Sequence, residues 1–442
     1  MSQHTRRMRY WQGLTLGLLV TGYAGYYLCR SNLSVALPLI IDDLDAHGLS
    51  HDQVTIQLGT LVSLGVLGYS AGKFLSGALA DIFGGRRNFL LGMMGSIFFT
   101  IAFALGGAMP IFTLSWIANR LVQSLGWAGL VKITSKWFSF STYGTVMGAM
   151  SLSYLFGDAA ARQFMGMLIA RGFDWRSVFW AGASVLFVLL IVNLWLLRES
   201  PTQIGRPEPP ASPLSLFASS GMEAVPSSLR GLLAPLFGSP AFWLVCLLSL
   251  GCTLVRETFN TWTPTYFTQV VGLSNARAAK MSGLFPLFGG VSVLLAGYLS
   301  DRLGRQGRAT VIVGGLLLAA LALFALGHVE PGGTPLWPVG LVTLVAFLII
   351  GPYSYLAGAI ALDFGGKQGS ATFSGIIDGI GYLGGVLAGD SIARISVAFS
   401  WKGVFLALCG VTLLSCLAAV VFWFEQNRSM ITQNSCLRGA EE

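Results

Sequence analysis

Charge is what this chain has least of. Only 10% of its 442 residues are Asp, Glu, Lys or Arg, while 54% are hydrophobic and the mean hydropathy is +0.69. That balance excludes a soluble enzyme with a large core and indicates a membrane protein. Histidine is nearly missing: His4, His47, His51 and His328 are the full set, and all fall in expected tails or loops. No proton-relay histidine is therefore expected inside the apolar spans. Cysteine is scarce as well. Five of the six (Cys29, Cys246, Cys252, Cys409 and Cys416) lie in apolar runs, and none has metal-ligand spacing. They read as small buried hydrophobes, with no disulfide framework and no metal site. No nucleophile–base arrangement or nucleotide loop is legible, so neither catalysis nor a cofactor is expected. The net charge of +8 does not signal a nucleic-acid partner, because the basic residues are scattered through short loops and apolar runs.

What the chain has is apolar length. Twelve segments are long enough to cross a bilayer as helices, for which roughly 20 residues suffice. They cover about 14–41, 54–80, 88–108, 110–134, 144–170, 175–197, 241–268, 278–300, 309–327, 336–362, 369–393 and 402–424. The first is too long for a signal-peptide core and is expected to remain as a span. The one long connection carries Pro201, Pro207, Pro209, Pro210, Pro213 and Pro226 and reads as a linker. The expected organisation is an all-α membrane protein of two six-helix halves, 1–197 and 241–442, joined by a cytoplasmic linker, 198–240. With both termini inside, sixteen basic residues fall in cytoplasmic segments and six in outer ones, which favours that orientation.

Five basic residues fall inside spans: Arg30, Lys73, Arg120, Arg162 and Arg256. A charge at that depth costs roughly 3 kcal/mol on insertion scales and normally faces a partner, a cavity or a ligand. Tyr23, Tyr27 and Arg30 are spaced i, i+4, i+7 and would share one face of a continuous helix. Two phenols and a guanidinium suit an anion, since arginine presents a donor fork that matches phosphate or carboxylate. A structural arginine bonded to backbone carbonyls is the alternative. The halves repeat, with Gly77, Asp81, Gly84, Arg86 and Arg87 after span 2 answered by Gly297, Asp301, Gly304 and Arg305 after span 8. Arg256 follows Arg30 at a similar offset. Two arginines midway along matching helices are expected to meet at the midplane, where repeat transporters place their substrate.

The doubled Gly-x-x-x-Asp-x-x-Gly loops, each followed by arginine, resemble the signature of the major facilitator superfamily. Four stretches bring the resemblance closer to the organophosphate:phosphate antiporters. They are Gly22–Pro38; Tyr69 to Phe74 with Gly77 and Asp81; Arg256 with Trp262-Thr-Pro264-Thr-Tyr266; and Gly351-Pro352 with Gly381-Tyr-Leu-Gly-Gly385. The resemblance implies a twelve-helix bundle that exchanges a phosphate ester for inorganic phosphate by rocking. It implies Arg30 and Arg256 as phosphate ligands, with Lys73, Tyr23, Tyr27 and Tyr69 in the same pore. It also implies gating by Asp81, Arg86, Asp301, Arg302 and Arg305.

The sequence departs from that pattern in places. Tyr154 stands where span 5 of the family usually has histidine, followed by Asp158 and Arg162 at helical spacing. Arg120 with Gln123 and Gly126 resembles a span-4 motif of other facilitators, some of them proton-linked. Asp378 precedes Tyr382 by four residues, and Glu257 follows Arg256. Asp158 and Arg162 read first as an i, i+4 ion pair. Alternatively, Asp158 or Asp378 faces an amine, and the substrate is a zwitterion such as an aminophosphonate. Proton coupling would have to use Asp158, Glu257 or Asp378, with Arg120 and Arg162 as further candidates for coupling.

Three functions follow: an organophosphate or phosphonate exchanger with phosphate as counter-substrate, a proton-coupled facilitator of another anion or zwitterion, and a transporter-like sensor of phosphate esters. The expected setting is a monomer in a bacterial cytoplasmic membrane.

Overall fold

The computed structural model describes residues 3–46, 48, 50–138, 140–209, 237–302, 307–356, 360 and 375–438. Among these every regular element is helical. Eight helices are long and apolar enough to cross a membrane. The first half comprises α1 (Gln3–Tyr26), α2 (Asn32–Ala46), α3 (His51–Phe83), α4 (Gly85–Leu105), α5 (Met109–Trp137), α6 (Phe140–Ala170) and α7 (Trp175–Leu196). After the linker come α8 (Pro240–Gln269), α9 (Asn275–Ser282), α10 (Leu284–Arg302), α11 (Gly307–Leu326), α12 (Leu336–Tyr355), α13 (375–387) and α14 (Asp390–Arg438). The last is broken at Ser400, whose φ is 60°. Most of the expected linker, residues 210–236, lies outside the described residues.

By contact the chain divides into two units. One comprises Met1–Ser220, Asn260–Leu287 and Ala388–Val397; the other comprises Gly221–Phe259, Phe288–Leu387 and Ala398–Glu442. In the first unit α4 and α5 are joined through α1. Tyr26 donates its hydroxyl to Phe89 O at 2.6 Å, and its ring lies against Gly92 and Gly126. The turn from α3 to α4 needs glycine, because Gly84 has φ 91°, a conformation that side chains disfavour.

The second unit is knitted by side-chain bonds to backbone. Ser292 Oγ donates to Phe347 O, and Gly351 N–H donates to Ser292 Oγ at 3.1 Å. These lie beside Pro352, which supplies no N–H to the α12 ladder. Tyr355 donates to Ala296 O. Helices α8 and α13 approach closely, for a Cβ on Gly384 would lie 2.2 Å from Leu250 O. Small residues serve this purpose where lipid provides no hydrophobic drive.

The expected first span is not one continuous α-helix. It breaks at Tyr27–Cys29, a 3-10 turn, and Arg30 follows in the gap before α2. The break is satisfied locally. In an unbroken helix Cys29 O would accept from Leu33 N–H; here Leu33 N–H donates to Asn32 Oδ1 at 2.8 Å, and Cys29 O accepts from Gln123 Nε2 at 2.9 Å. Both orphaned backbone groups thus find side-chain partners, as burial requires.

Candidate functional site

The first cluster is built on that break. The Arg30 guanidinium lies 5.2 Å from the Tyr27 ring centre and 4.6 Å from the Tyr69 ring centre. Tyr69, on α3, is 3% exposed and gathers two further cations, Lys73 at 5.4 Å and Arg120 at 4.7 Å. A phenol face attracts cations, by about 2 kcal/mol where water is excluded. One ring thus holds three positive groups that would otherwise repel. Tyr23 meets Tyr27 at 6.1 Å and Trp127 at 5.4 Å, and Tyr27 stacks on Tyr154 at 6.2 Å. Arg30, Lys73, Tyr23, Tyr27, Tyr69 and Tyr154 fall together in this cluster; Asp158, also expected at the substrate, lies outside it with Arg162. Gln123 and Asn119 were not among the expected site residues; Arg120 Nη1 donates to Gln123 Oε1 at 3.5 Å, and Gln123 is fixed by Asn119 Oδ1 at 2.6 Å.

Asp158 and Arg162 form a separate, closed network in the same unit. The Arg162 Nε donates to Asp158 Oδ1 at 2.9 Å, and Ser31 Oγ donates to the same oxygen. Arg162 Nη1 reaches Ser34 at 3.3 Å and Ser282 at 3.1 Å, and Nη2 reaches Asn260 O at 2.7 Å. Arg162 is 2% exposed, with all three nitrogens engaged. Ser31, Ser34 and Ser282 carry no sequence signal of this role, because it depends on where α2 and α9 fall in space.

The second cluster surrounds Arg256 on α8. Its guanidinium lies 4.5 Å from the Tyr353 ring centre and 5.9 Å from that of Tyr382. Its Nη2 donates to Glu257 Oε1 at 2.9 Å. Tyr353 donates to Asp378 Oδ1 at 3.2 Å. Arg256, Glu257 and Asp378 therefore share one neighbourhood, linked by a tyrosine missing from the expected set. Its signal was the Gly351-Pro352 pair immediately before it.

Of the expected gate residues, Arg86 is the best defined. Its Nε donates to Leu197 O at 2.7 Å and its Nη2 to Leu194 O at 2.6 Å. Its own N–H donates to Glu199 Oε2 at 2.6 Å, beside Gly85 N–H at 3.0 Å and Lys136 Nζ at 2.7 Å to Oε1. Glu199 thereby caps α4 at the positive end of its dipole. Burial alone would raise its carboxyl; the bonds from Lys136, Arg86 and Gly85 outweigh burial and hold it below the usual glutamate range. Arg302 is exposed, 5.0 Å from the Tyr298 ring centre. The side chains of Asp81 and Asp301, and all of Arg305, lie outside the described residues.

Two arginines each resting on a pair of tyrosines can bind an oxyanion. The rings lie against the guanidinium plane, and a guanidinium fork is suited to donate two parallel bonds to an oxyanion. Comparison with known proteins gives the family. The Major Facilitator Superfamily profile matches residues 19–389. The glycerol-3-phosphate transporter of Bacillus subtilis is 26% identical, covering 92% of this chain and 90% of its own. The glucose-6-phosphate exchanger SLC37A2 of Bos taurus is 29% identical over 81% of this chain and 79% of its own. Among solved structures, a bacterial homologue of the human lysosomal transporter Spinster, inward-facing and unoccupied, superposes with a TM-score of 0.73 at 15% identity, covering 96% of this chain and 98% of that one. It shares the fold; the first two share the branch that the arginine-bearing stretches resemble. The chain is a multi-pass membrane transporter, not an enzyme, and belongs to the Major Facilitator Superfamily, in its organophosphate:phosphate antiporter branch.

Proposed function

We propose that the protein exchanges a small organophosphate or phosphonate for inorganic phosphate by alternating access. The observation that carries this reading is the repeated arrangement of Arg30 on Tyr27 and Tyr69, and Arg256 on Tyr353 and Tyr382. Each sequence half supplies one arginine that stays protonated at any physiological pH. A guanidinium of this kind suits a phosphate oxyanion. Lys73 and Arg120 enrich the first cluster in positive charge and draw anions toward it. Cations at membrane depth are expensive, and a bound anion offsets part of that cost. Crossing loaded is then favoured over crossing empty, which is the physical basis of obligatory exchange. The two related transporters named for glycerol 3-phosphate and glucose 6-phosphate support the substrate class. We place the protein in a bacterial inner membrane, as a monomer with both termini inside and two six-helix halves, on the strength of the charge bias and the repeat.

The test is uptake of radiolabelled phosphate by proteoliposomes loaded with phosphate or empty, with Arg30→Lys and Arg256→Lys in parallel. Exchange predicts uptake only into loaded vesicles and loss in both variants. Uptake into empty vesicles driven by a pH gradient would overturn exchange in favour of proton coupling. Saturable binding without flux would make the protein a sensor.

A further inference from the structure

We infer that the protein carries a binding site for the headgroup of an anionic phospholipid where α1, α4 and α7 end together. A cavity of about 370 Å³ opens there, lined by Arg7 and Trp11 of α1, Arg86 of α4, and Arg198 and Gln203 just beyond α7. It shares no residue with either arginine–tyrosine cluster and is independent of the exchange reading.

Three guanidiniums share this cavity, and Lys136 stands beside it through Glu199. The carboxylate that could neutralise them is already committed. Both Glu199 oxygens accept from Gly85 N–H, Arg86 N–H and Lys136 Nζ. Arg86 spends Nε and Nη2 on backbone carbonyls of α7. The guanidiniums of Arg7 and Arg198 take part in no ion pair among the described residues. The cluster therefore holds four cations against one carboxylate, and two of its guanidiniums keep their donor forks open. Such forks match the two free oxygens of a phosphodiester.

The walls are fixed rather than incidental. Gln12 Nε2 donates to Trp137 O at 2.9 Å, and Trp137 Nε1 donates to Arg198 O at 3.1 Å. These bonds tie the start of α1, the end of α5 and the end of α7 to one another. The surroundings select a lipid over a free anion. Trp195, three residues before Arg198, is 74% exposed, and Tyr10, next to Trp11, is 65% exposed. Exposed aromatic residues at helix ends sit at the headgroup level of a bilayer. Acyl chains can thus run along the apolar surface of α7 while the phosphate enters the cavity. Basic pockets between membrane helices bind acidic headgroups in this way.

The experiment is native mass spectrometry of the purified full-length protein in non-ionic detergent, titrated with phosphatidylglycerol or phosphatidylcholine. Wild type is expected to retain one phosphatidylglycerol in preference to phosphatidylcholine. Each arginine removed is expected to weaken retention roughly five-fold, so Arg7→Gln with Arg198→Gln lowers it about 25-fold. The melting temperature of each variant without lipid checks folding. Arg7 is exposed at the start of α1, so Arg7→Gln alone, with its five-fold loss, decides the matter if the double variant does not fold. Equal retention of the two lipids by wild type, or undiminished preference in the variants, would overturn the inference. Displacement of the lipid by an equal concentration of inorganic phosphate would overturn the lipid assignment and make the cavity a small-anion site.

Discussion

Arg30 and Arg256 occupy matching places in the two sequence halves and rest on tyrosines in the same manner, yet their company differs. Around Arg30, three cations converge on one phenol. Around Arg256, the guanidinium is already held by Glu257, and Asp378 lies one tyrosine away. In the proposed exchange the first neighbourhood attracts the anion. The second must release a carboxylate, or share with one, before it can give its full charge to a ligand. A third arginine completes the contrast: Arg162 has a carboxylate and every nitrogen engaged. The same residue type thus ranges from a cation among cations, through a single ion pair, to a fully bonded buried network.

The contrast can be broken by substitution. Arg162→Gln is expected to have the largest effect, and on stability. It strands the buried Asp158 carboxylate, which costs on the order of 3–5 kcal/mol, read as a lowered melting temperature. Arg30→Lys comes next, with unchanged melting but roughly 100-fold slower exchange, because lysine lacks the fork that makes two charge-assisted bonds. Arg256→Lys is expected to lose only about ten-fold, since Glu257 already shares that charge. Equal losses in these two variants would erase the distinction between the clusters.

Smaller changes sharpen it. Tyr69→Leu removes the ring common to three cations and is expected to weaken phosphate binding by about ten-fold. Tyr353→Phe keeps its ring and loses only the bond to Asp378, an effect of about three-fold. Glu257→Gln is expected to act in the opposite direction, tightening phosphate binding about five-fold by removing the competing carboxylate. Competition against labelled phosphate measures all three. Weaker binding in Glu257→Gln would show that the carboxylate positions Arg256 instead of competing for it.

Much of this was legible in the sequence because membrane helices leave a simple signature. Apolar length marks the spans, and a charge inside one is rare enough to mark itself. Arg30, Lys73, Arg120 and Arg256 were found that way, and the tyrosines followed from spacing and resemblance. What escaped were residues whose role depends on a break or on distant packing. Helical spacing treats Tyr23, Tyr27 and Arg30 as points on one rod, whereas a 3-10 turn intervenes. The break gives no clear local signal, for Leu28 and Cys29 do not stop helices; it is held open by Asn32 and by Gln123, far along the chain. Glu199 escaped for a related reason: it is an ordinary residue until α4 is brought to it.

The break at Tyr27–Ser31 also has a mechanical meaning. A continuous helix transmits a push along its axis and resists bending, because bending strains every bond of its ladder. Here the ladder is interrupted where Arg30 sits, so α1 and α2 are two short levers meeting at a joint. The residue proposed to grip the anion rides on the joint itself. A pull on Arg30 is therefore applied where the ladder is interrupted, at the junction of the two helices.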